Sequence, residues 1–466
     1  MTCGIVEREE NVLSTFVSEQ GPISHDYRDR IVKAIYKKAE IIAQKVVFEK
    51  KEQGLTWEHR IDDLFTSRFW GFIIMLLLLG VVFWITLVGA NYPSELIAHY
   101  LFRLEKTILA FLLMIKAPGW VSEILVLGTY RTLAWVISVM LPPMAIFFPL
   151  FTFLEDLGYL PRVAFNLDYL LKKCGAHGKQ ALTMCMGFGC NAAGITSCRI
   201  IDSPRERLIA IITNNFVPCN GRFPLLIVLT NIFWAGTFGG KAGSIISAVT
   251  VVGLVIFGVV VTFFVSFLLS RTVLKGVPSQ FTLELPPFRM PQPGRIIINS
   301  IRDRTLFVLA RAVVVAAPAG IIVWLMANVP VGEVTLLQGA AALLDPFART
   351  LGLDGFILMA FILGLPANEI VLPILLMAYL SAGSMLEVGS LDGLKTLLAG
   401  NGWTSLTALN VMLFSLLHFP CSTTLLTILK ETRSKKWAFL SFLIPTLVSI
   451  VVIFIVTQIA RLLGLA

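Results

Sequence analysis

The sequence predicts an all-α membrane protein with about seven spanning helices, and three observations support this. Of the 466 residues, 56% are hydrophobic and 14% are charged, and the mean hydropathy is +0.81. Several apolar runs approach the ~20 residues that a helix needs to cross the hydrocarbon core. The basic residues fall mostly between these runs, which is the pattern that orients membrane proteins. The basic residues behind the net charge of +9 are therefore explained by the orientation of the spans, and no nucleic-acid partner is expected.

The chain begins with a segment that we predict to be helical and cytoplasmic. Residues 1–68 are polar and charged, with a helical pattern and no early apolar core of the kind found in a signal peptide. The seven cysteines are an odd number, and most lie within or beside apolar runs. A disulfide framework is therefore not expected.

Seven apolar runs are long enough to be spanning helices. They lie at about 69–90, 130–154, 206–233, 243–270, 305–328, 404–429 and 437–463. Two shorter apolar segments, near 180–198 and 356–380, are interrupted by glycine or proline. A broken helix in lipid frees backbone groups that protein or water must satisfy, so both segments predict re-entrant hairpins.

The distribution of basic residues predicts a cytoplasmic N-terminus. With that orientation the basic loops 155–207 and 271–304 are cytoplasmic, and so is the cluster from Lys430 to Lys436. If the segment 356–380 crossed the membrane completely, this last cluster would lie outside. The charge pattern therefore also favours a re-entrant segment there.

The order of segments predicts two inverted repeats. Each repeat contains a span, a re-entrant segment, a broken span and a further span, and the two repeats begin on opposite sides. The sequence Phe216-Val-Pro-Cys219 resembles His418-Phe-Pro-Cys421, and Gly187–Asn191 resembles Gly364–Asn368. The predicted parts are a cytoplasmic helical segment (1–68), a first span with an outer amphipathic region (69–129), repeat 1 (130–270), a cytoplasmic linker (271–304) and repeat 2 (305–463).

Three cysteines lie at predicted helix breaks: Cys190, Cys219 and Cys421. A lone cysteine in a membrane helix usually serves as a small hydrophobic residue. Three of them at equivalent breaks favour soft ligands for a transition metal ion. Discontinuous helices are also where secondary transporters hold their substrates.

Glu369 and Asn191 are the other candidate ligands. A carboxylate in the middle of an apolar segment costs about 2.5–3.5 kcal/mol on insertion scales, so Glu369 is expected to face a cavity. The alternative is an interhelical salt bridge to Arg222 or Arg311. Asn191 could offer its amide oxygen to a cation or could bond freed backbone groups, and the sequence leaves both roles open.

Common enzyme motifs are missing from the sequence. It contains no G-x-x-x-x-G-K-[ST] phosphate loop, no H-E-x-x-H and no G-x-S-x-G. We therefore expect a transporter that is not itself an enzyme, with no bound cofactor.

Four motifs together resemble the membrane part of the ferrous iron transport protein B family. They are LEDLGYLPR (154–162), GFGCN (187–191), Pro218-Cys219 with Arg222, and Phe419-Pro-Cys421. Their order and spacing match over roughly residues 20–460. The resemblance implies an importer of Fe²⁺ in the bacterial inner membrane, built from two gate repeats that bear cysteines.

The resemblance also implies roles for individual residues. Cys190, Cys219 and Cys421 fall on the family's gate cysteine positions, and Glu369 matches its membrane carboxylate. Asn368 departs from the usual neighbour at that place.

Members of the family normally begin with a GTP-binding domain and a helical spacer, whereas this sequence opens in a spacer-like segment. A separate GTP-binding protein, a paralogue that works without GTP and a fragment are all possible explanations, and the initiating Met favours the first. Further expected partners are a small accessory iron-transport protein, the lipid bilayer and other copies of the chain.

The sequence thus predicts a permease for a divalent transition metal, with Fe²⁺ as the expected ion and Mn²⁺ or Zn²⁺ not distinguished from it. Transient coordination is expected from Cys190, Cys219 and Cys421, assisted by Glu369 and Asn191. Three alternatives stay open. They are a permease for an organic solute similar to concentrative nucleoside transporters, an intramembrane thiol enzyme in which His418 activates Cys421, and a membrane anchor for a separate GTPase.

Overall fold

The computed structural model describes residues 25–46, 57–67, 69–235, 240–276, 288, 291–385 and 391–464. The chain divides into two compact units, Met1–Arg60 and Ile61–Ala466. In the predicted cytoplasmic segment (1–68) the structure gives two helices, His25–Val46 and Trp57–Thr66, and apart from Ser67 the rest of that segment lies outside the described residues. The middle of the predicted linker 271–304 also lies outside them.

Seven helices in the described residues are long and apolar enough to cross a membrane, which confirms the predicted number. We number them as spans in chain order. They are span 1 (Trp70–Met114), span 2 (Gly119–Asp156), span 3 (Pro204–Trp234), span 4 (Ile246–Arg271), span 5 (Pro293–Asn328), span 6 (Ser405–Thr432) and span 7 (Lys435–Leu462). Shorter helices outside the spans and the re-entrant segments are Tyr159–Lys173, Leu336–Thr350 and Leu391–Gly400. A small antiparallel hairpin pairs Pro330–Val331 with Val334–Thr335.

The first two spans are longer than their apolar runs. Span 1 is predicted to end near residue 90, but the helix continues through Pro93 to Met114. Charged and polar side chains after Pro93 lower the hydropathy without breaking the backbone pattern. Span 2 begins at Gly119 instead of 130, and its outer part contains a π-helical stretch, Ile124–Tyr130.

The first re-entrant segment, residues 180–200, enters and leaves the protein on one side. It consists of the helices Gln180–Gly189 and Asn191–Ser197 and a short 3-10 turn, Cys198–Ile200. Lys179, at its start, donates to the Ile200 carbonyl at 3.0 Å and to the Asp202 carboxylate at 2.9 Å. Because the two ends meet, the segment turns back, as the sequence predicts.

The second re-entrant segment, residues 355–379, also has ends that meet. The Tyr379 hydroxyl donates to the carboxylate of Asp354, and the Trp403 indole donates to the Tyr379 oxygen at 2.8 Å. The same Asp354 caps the first helix by accepting from Ile357 N at 2.7 Å. The segment consists of helix Gly355–Leu363, the 3-10 turn Asn368–Ile370 and helix Val371–Tyr379.

Equivalent breaks in the two repeats share one backbone geometry. Cys190 has φ −153° and ψ 125°, and Ala367, which aligns with it, has φ −153° and ψ 124°. Cys219 (φ −80°, ψ 166°) and Cys421 (φ −62°, ψ 158°) form the second matching pair. At these two pairs of positions the local likeness of the sequences therefore extends to the backbone angles.

Both re-entrant segments are enclosed by packed protein. Phe361, Ile374 and their neighbours belong to a large apolar core together with residues of spans 3, 5 and 6. Met184 and Phe188 pack with Phe147 and Phe148 of span 2 in a second core. Broken backbone at membrane depth is tolerated where it is buried in protein in this way.

Candidate functional site

Four helix breaks, two from each repeat, meet around one small cavity. We call it the thiol cavity, and its volume is about 30 Å³. Its lining comprises Met140, Met144, Gly189, Cys190, Asn191, Cys219, Asn220, Gly221, Val308, Ala312, Pro366, Ala367, Asn368, Glu369, Cys421, Thr423 and Thr424. All five candidate ligands predicted from the sequence are in this lining.

Two of the three thiols contact polar side chains of repeat 2, and the third is buried. Cys421 Sγ lies 3.2 Å from Thr424 Oγ1, and the Asn368 amide donates to Cys219 Sγ at 3.8 Å. Cys190 is buried, with 8% of its surface exposed. Thr424 escaped the sequence analysis, although its position three residues after Cys421 on a helix places both on one face.

In this conformation the candidate ligands surround the cavity without closing on one point. Among the described residues, no group of three or more His, Cys, Asp or Glu side chains is arranged to hold a metal ion.

Asn191 bonds the freed backbone. When the side-chain amide is turned so that its nitrogen faces acceptors, Nδ2 donates to the carbonyls of Gly187 at 3.1 Å and Val217 at 3.2 Å. These carbonyls belong to the first re-entrant segment and to the break in span 3, so the amide ties the two breaks together. This geometry corresponds to the second of the two roles predicted for Asn191.

Arg222 anchors the broken spans to each other and makes no ion pair with Glu369. It is fully buried, and its Nη1 donates to the carbonyls of Asn215 and Leu416, both at 2.8 Å. Its Nη2 reaches the carbonyls of His418 and Phe419 at 3.3 and 3.4 Å. One guanidinium thus satisfies carbonyls freed by the breaks in spans 3 and 6.

Glu369 makes no ion pair with any residue that the structure describes. Arg311, the other predicted partner, donates to Thr427 Oγ1 at 2.9 Å and lies over the Phe307 ring. The Glu369 carboxylate lies against Gly221, where an added Cβ would be 2.2 Å from Oε1. A glycine at this position is therefore required for the observed place of the carboxylate, a contact that the sequence analysis missed.

His418 lies away from the thiol cavity. Its Nδ1 is 2.9 Å from the Ser415 carbonyl, and its ring packs against Phe361, Phe414 and Phe419. This placement gives no support to a thiol enzyme in which His418 activates Cys421.

A second and larger cavity opens beside the first. We call it the vestibule, and its volume is about 920 Å³. Span 1 lines it with Ser94, Glu95, Ala98, His99, Phe102, Arg103 and Lys106, and span 2 with Trp135, Ser138 and Val139. The remaining lining is Gly221, Pro224, Leu225, Val228, Asn368, Glu369, Leu372 and Pro373. The two cavities share Gly221, Asn368 and Glu369.

Two family profiles match segments of this chain. A profile described as "Gate: Nucleoside recognition" matches residues 137–233 and 309–435, one segment in each repeat. A profile described as "Ferrous iron transport protein B C terminus" matches residues 251–302, between them. Together with the relatives described next, these matches support the ferrous iron transport protein B family for this chain. The matched segments all lie in the membrane part of that family.

Curated members of the family align with nearly the whole chain. The Fe(2+) transporter FeoB of Leptospira biflexa is 26% identical over 96% of this chain and 66% of its own length. That of Staphylococcus aureus strain MSSA476 is 27% identical over 91% of this chain and 62% of its own length.

A Porphyromonas gingivalis relative, named as an Fe(2+) transport protein A/Fe(2+) transporter FeoB fusion protein, is 24% identical over 88% of this chain and 52% of its length. The chain thus spans about two thirds or less of these relatives. No solved structure matches it.

Proposed function

We propose that the chain is a permease that imports a divalent transition metal ion, with Fe²⁺ as its substrate, along a pathway lined by thiols and a carboxylate. The observation that carries this proposal is the meeting of four helix breaks at the thiol cavity. Cys190, Cys219 and Cys421 supply soft ligands there, and Glu369 supplies a charge opposite to that of the ion. The relatives that are named Fe(2+) transporters support the choice of iron.

Transport in this proposal proceeds by transient coordination. The ion meets Glu369 before the thiols of the two repeats, since this carboxylate lines both cavities. Thiols bind metal as thiolates, so binding releases protons. Rearrangement of the breaks against each other passes the ion on, and the two repeats open alternately around it.

The size of the thiol cavity supports an ion over an organic solute at this point of the pathway. The description of the Gate profile, "Nucleoside recognition", is the observation that favours the organic alternative. Sites for small organic molecules usually measure about 300–1,000 Å³, whereas the thiol cavity measures about 30 Å³. It has room for an ion or a water molecule but not for a nucleoside.

The cellular setting is part of the proposal. We place the chain in a bacterial cytoplasmic membrane with its N-terminus inside and no resident cofactor. A GTP-binding protein supplies the nucleotide site, and a small accessory protein and other copies of the chain are further partners. The Porphyromonas relative, whose name joins a transport protein A to the transporter, supports the accessory partner.

Uptake of labelled Fe²⁺ into proteoliposomes under anaerobic conditions tests the function. The variant Cys190→Ser/Cys219→Ser removes two thiols from the cavity. Cys174→Ser is the matched control, because Cys174 is a free thiol at the end of helix Tyr159–Lys173 and outside the cavity lining. We expect the native chain and Cys174→Ser to take up iron, and the double variant to lose most of the uptake.

Other outcomes identify the alternatives. Equal uptake by the double variant and the control would contradict a thiol pathway. Uptake of a labelled nucleoside that is insensitive to the double change would favour the organic-solute permease. If the native chain moves neither solute even with a GTP-binding partner added, the anchor alternative replaces our proposal.

A further inference from the structure

The vestibule reaches the candidate ion pathway at a single place. Its lining shares three residues with the thiol cavity, namely Gly221, Asn368 and Glu369. Because Gly221 has no side chain, the Glu369 carboxylate occupies the space between the two cavities. An ion in the vestibule therefore meets this carboxylate before it meets a thiol.

Span 1 presents to the vestibule two side chains of types that can bind metal ions. Glu95 and His99 are four residues apart in one helix, so they lie on the same face, and both line the cavity and are exposed. A carboxylate and an imidazole together suit first-row divalent ions. Ser138, from span 2, adds a hydroxyl to the same lining.

The other charges of the vestibule lie farther along span 1. Arg103 and Lys106 follow Glu95 by 8 and 11 residues, about 12 and 16 Å along a helix, and they follow His99 by 4 and 7 residues, about 6 and 10 Å. Glu105 does not join them, since it is buried and lies 3.4 Å from Arg131. The lining of the vestibule thus holds two carboxylates, Glu95 and Glu369, which balance the charges of the two basic residues. The imidazole of His99 is a further side chain there that can bind a metal ion.

We infer that Glu95 and His99 form an outer capture site for a hydrated divalent cation, which then moves to Glu369. The inference rests on the proposed function, because it supplies the first binding step of the same pathway.

Binding of Mn²⁺ to the purified full chain tests the site, with the free ion counted by electron paramagnetic resonance. Mn²⁺ prefers oxygen ligands to thiols, so it reports on the vestibule more than on the thiol cavity. We expect Glu95→Gln/His99→Asn to weaken Mn²⁺ binding at least tenfold. Glu123→Gln is the control, since Glu123 is exposed and lines neither cavity, and its affinity should equal that of the native chain.

Two further comparisons separate this inference from the proposed function. Cys190→Ser/Cys219→Ser should keep the Mn²⁺ affinity while losing iron uptake. Glu95→Gln/His99→Asn should raise the KM of iron uptake and leave the maximal rate near that of the native chain. If the native chain transports no iron, the Mn²⁺ titration still decides whether the capture site exists.

Unchanged Mn²⁺ affinity in Glu95→Gln/His99→Asn would overturn the inference, and the single change His99→Gln repeats the test if the double variant folds poorly. A second result would also overturn it. If metal binds only as its citrate complex, and Arg103→Ala/Lys106→Ala abolishes that binding, the vestibule accepts an anion and no free cation.

Discussion

Gly221→Ala tests whether the Glu369 carboxylate must lie between the two cavities. A Cβ on residue 221 would be 2.2 Å from Glu369 Oε1 and 2.5 Å from Cδ. Ordinary non-bonded contacts begin at about 3.5 Å, so the carboxylate would have to withdraw by more than about 1 Å. The Glu369 carbonyl accepts from the Trp135 indole at 3.4 Å, which favours movement of the side chain over movement of the backbone.

The expected cost to folding is small and the expected cost to transport is larger. Gly221 lies in a short 3-10 turn, Asn220–Arg222, without a left-handed backbone angle, so alanine fits the backbone. Turning the Glu369 side chain away from its preferred rotamer costs about 0.5–1.5 kcal/mol. Misplacing a metal ligand through a neighbouring residue typically lowers metal affinity by about 10–100-fold. We expect a loss of that size in the kcat/KM of iron uptake.

The assay is iron uptake at a series of Fe²⁺ concentrations, with Gly253→Ala as the matched control. Gly253 lies in span 4, and a Cβ added there would meet nothing within 4 Å. The double variant Gly221→Ala/Glu369→Asp shortens the carboxylate side chain by one C–C bond, about 1.5 Å. It should recover part of the activity that Gly221→Ala loses. Two results would refute the claim that the Glu369 carboxylate must lie against Gly221. One is uptake by Gly221→Ala equal to that of Gly253→Ala. The other is uptake by the double variant no higher than that of Gly221→Ala or Glu369→Asp alone.

Two more predictions concern stability. Arg222→Gln should lower the free energy of unfolding by about 3 kcal/mol or more, because several buried carbonyls lose their donor. Denaturation in detergent measures this change. A loss below about 1 kcal/mol would contradict the anchoring role of Arg222. Burial lowers the pKa of His177, whose Nδ1 accepts from Lys179 N at 3.0 Å. Since the folded state favours the neutral ring, stability should fall as the pH drops below the unfolded pKa of about 6.5 and stay level above it. His177→Gln should lessen this acid-side loss, and an unchanged pH profile would argue against it.

The number and the positions of the spans follow from the sequence because hydropathy acts locally. Seven apolar runs became seven spans, and glycine and proline marked both re-entrant segments. The end of span 1 could not be found in this way, since the helix continues past Pro93 through residues whose side chains face a cavity. Hydropathy measures the side chains' preference for lipid, while the helix itself needs only its backbone hydrogen bonds.

The members of the thiol cavity could be predicted, but the contacts that hold them could not. Cysteines at equivalent breaks and a carboxylate in an apolar segment are visible in one sequence. Arg222 instead bonds the Leu416 carbonyl, 194 residues away, and a single sequence gives no signal for such a pairing. The sequence offered Glu369 as its partner on charge alone, whereas the freed carbonyls of two broken helices bind the guanidinium.

Direct observation of iron ligation tests the central claim most closely. X-ray absorption at the iron edge, on the native chain loaded anaerobically with Fe²⁺, reports whether sulfur is bound to the metal. We predict sulfur scattering in the native chain and in Cys174→Ser, and its loss in Cys190→Ser/Cys219→Ser. A native spectrum with only oxygen and nitrogen neighbours would contradict the thiol pathway.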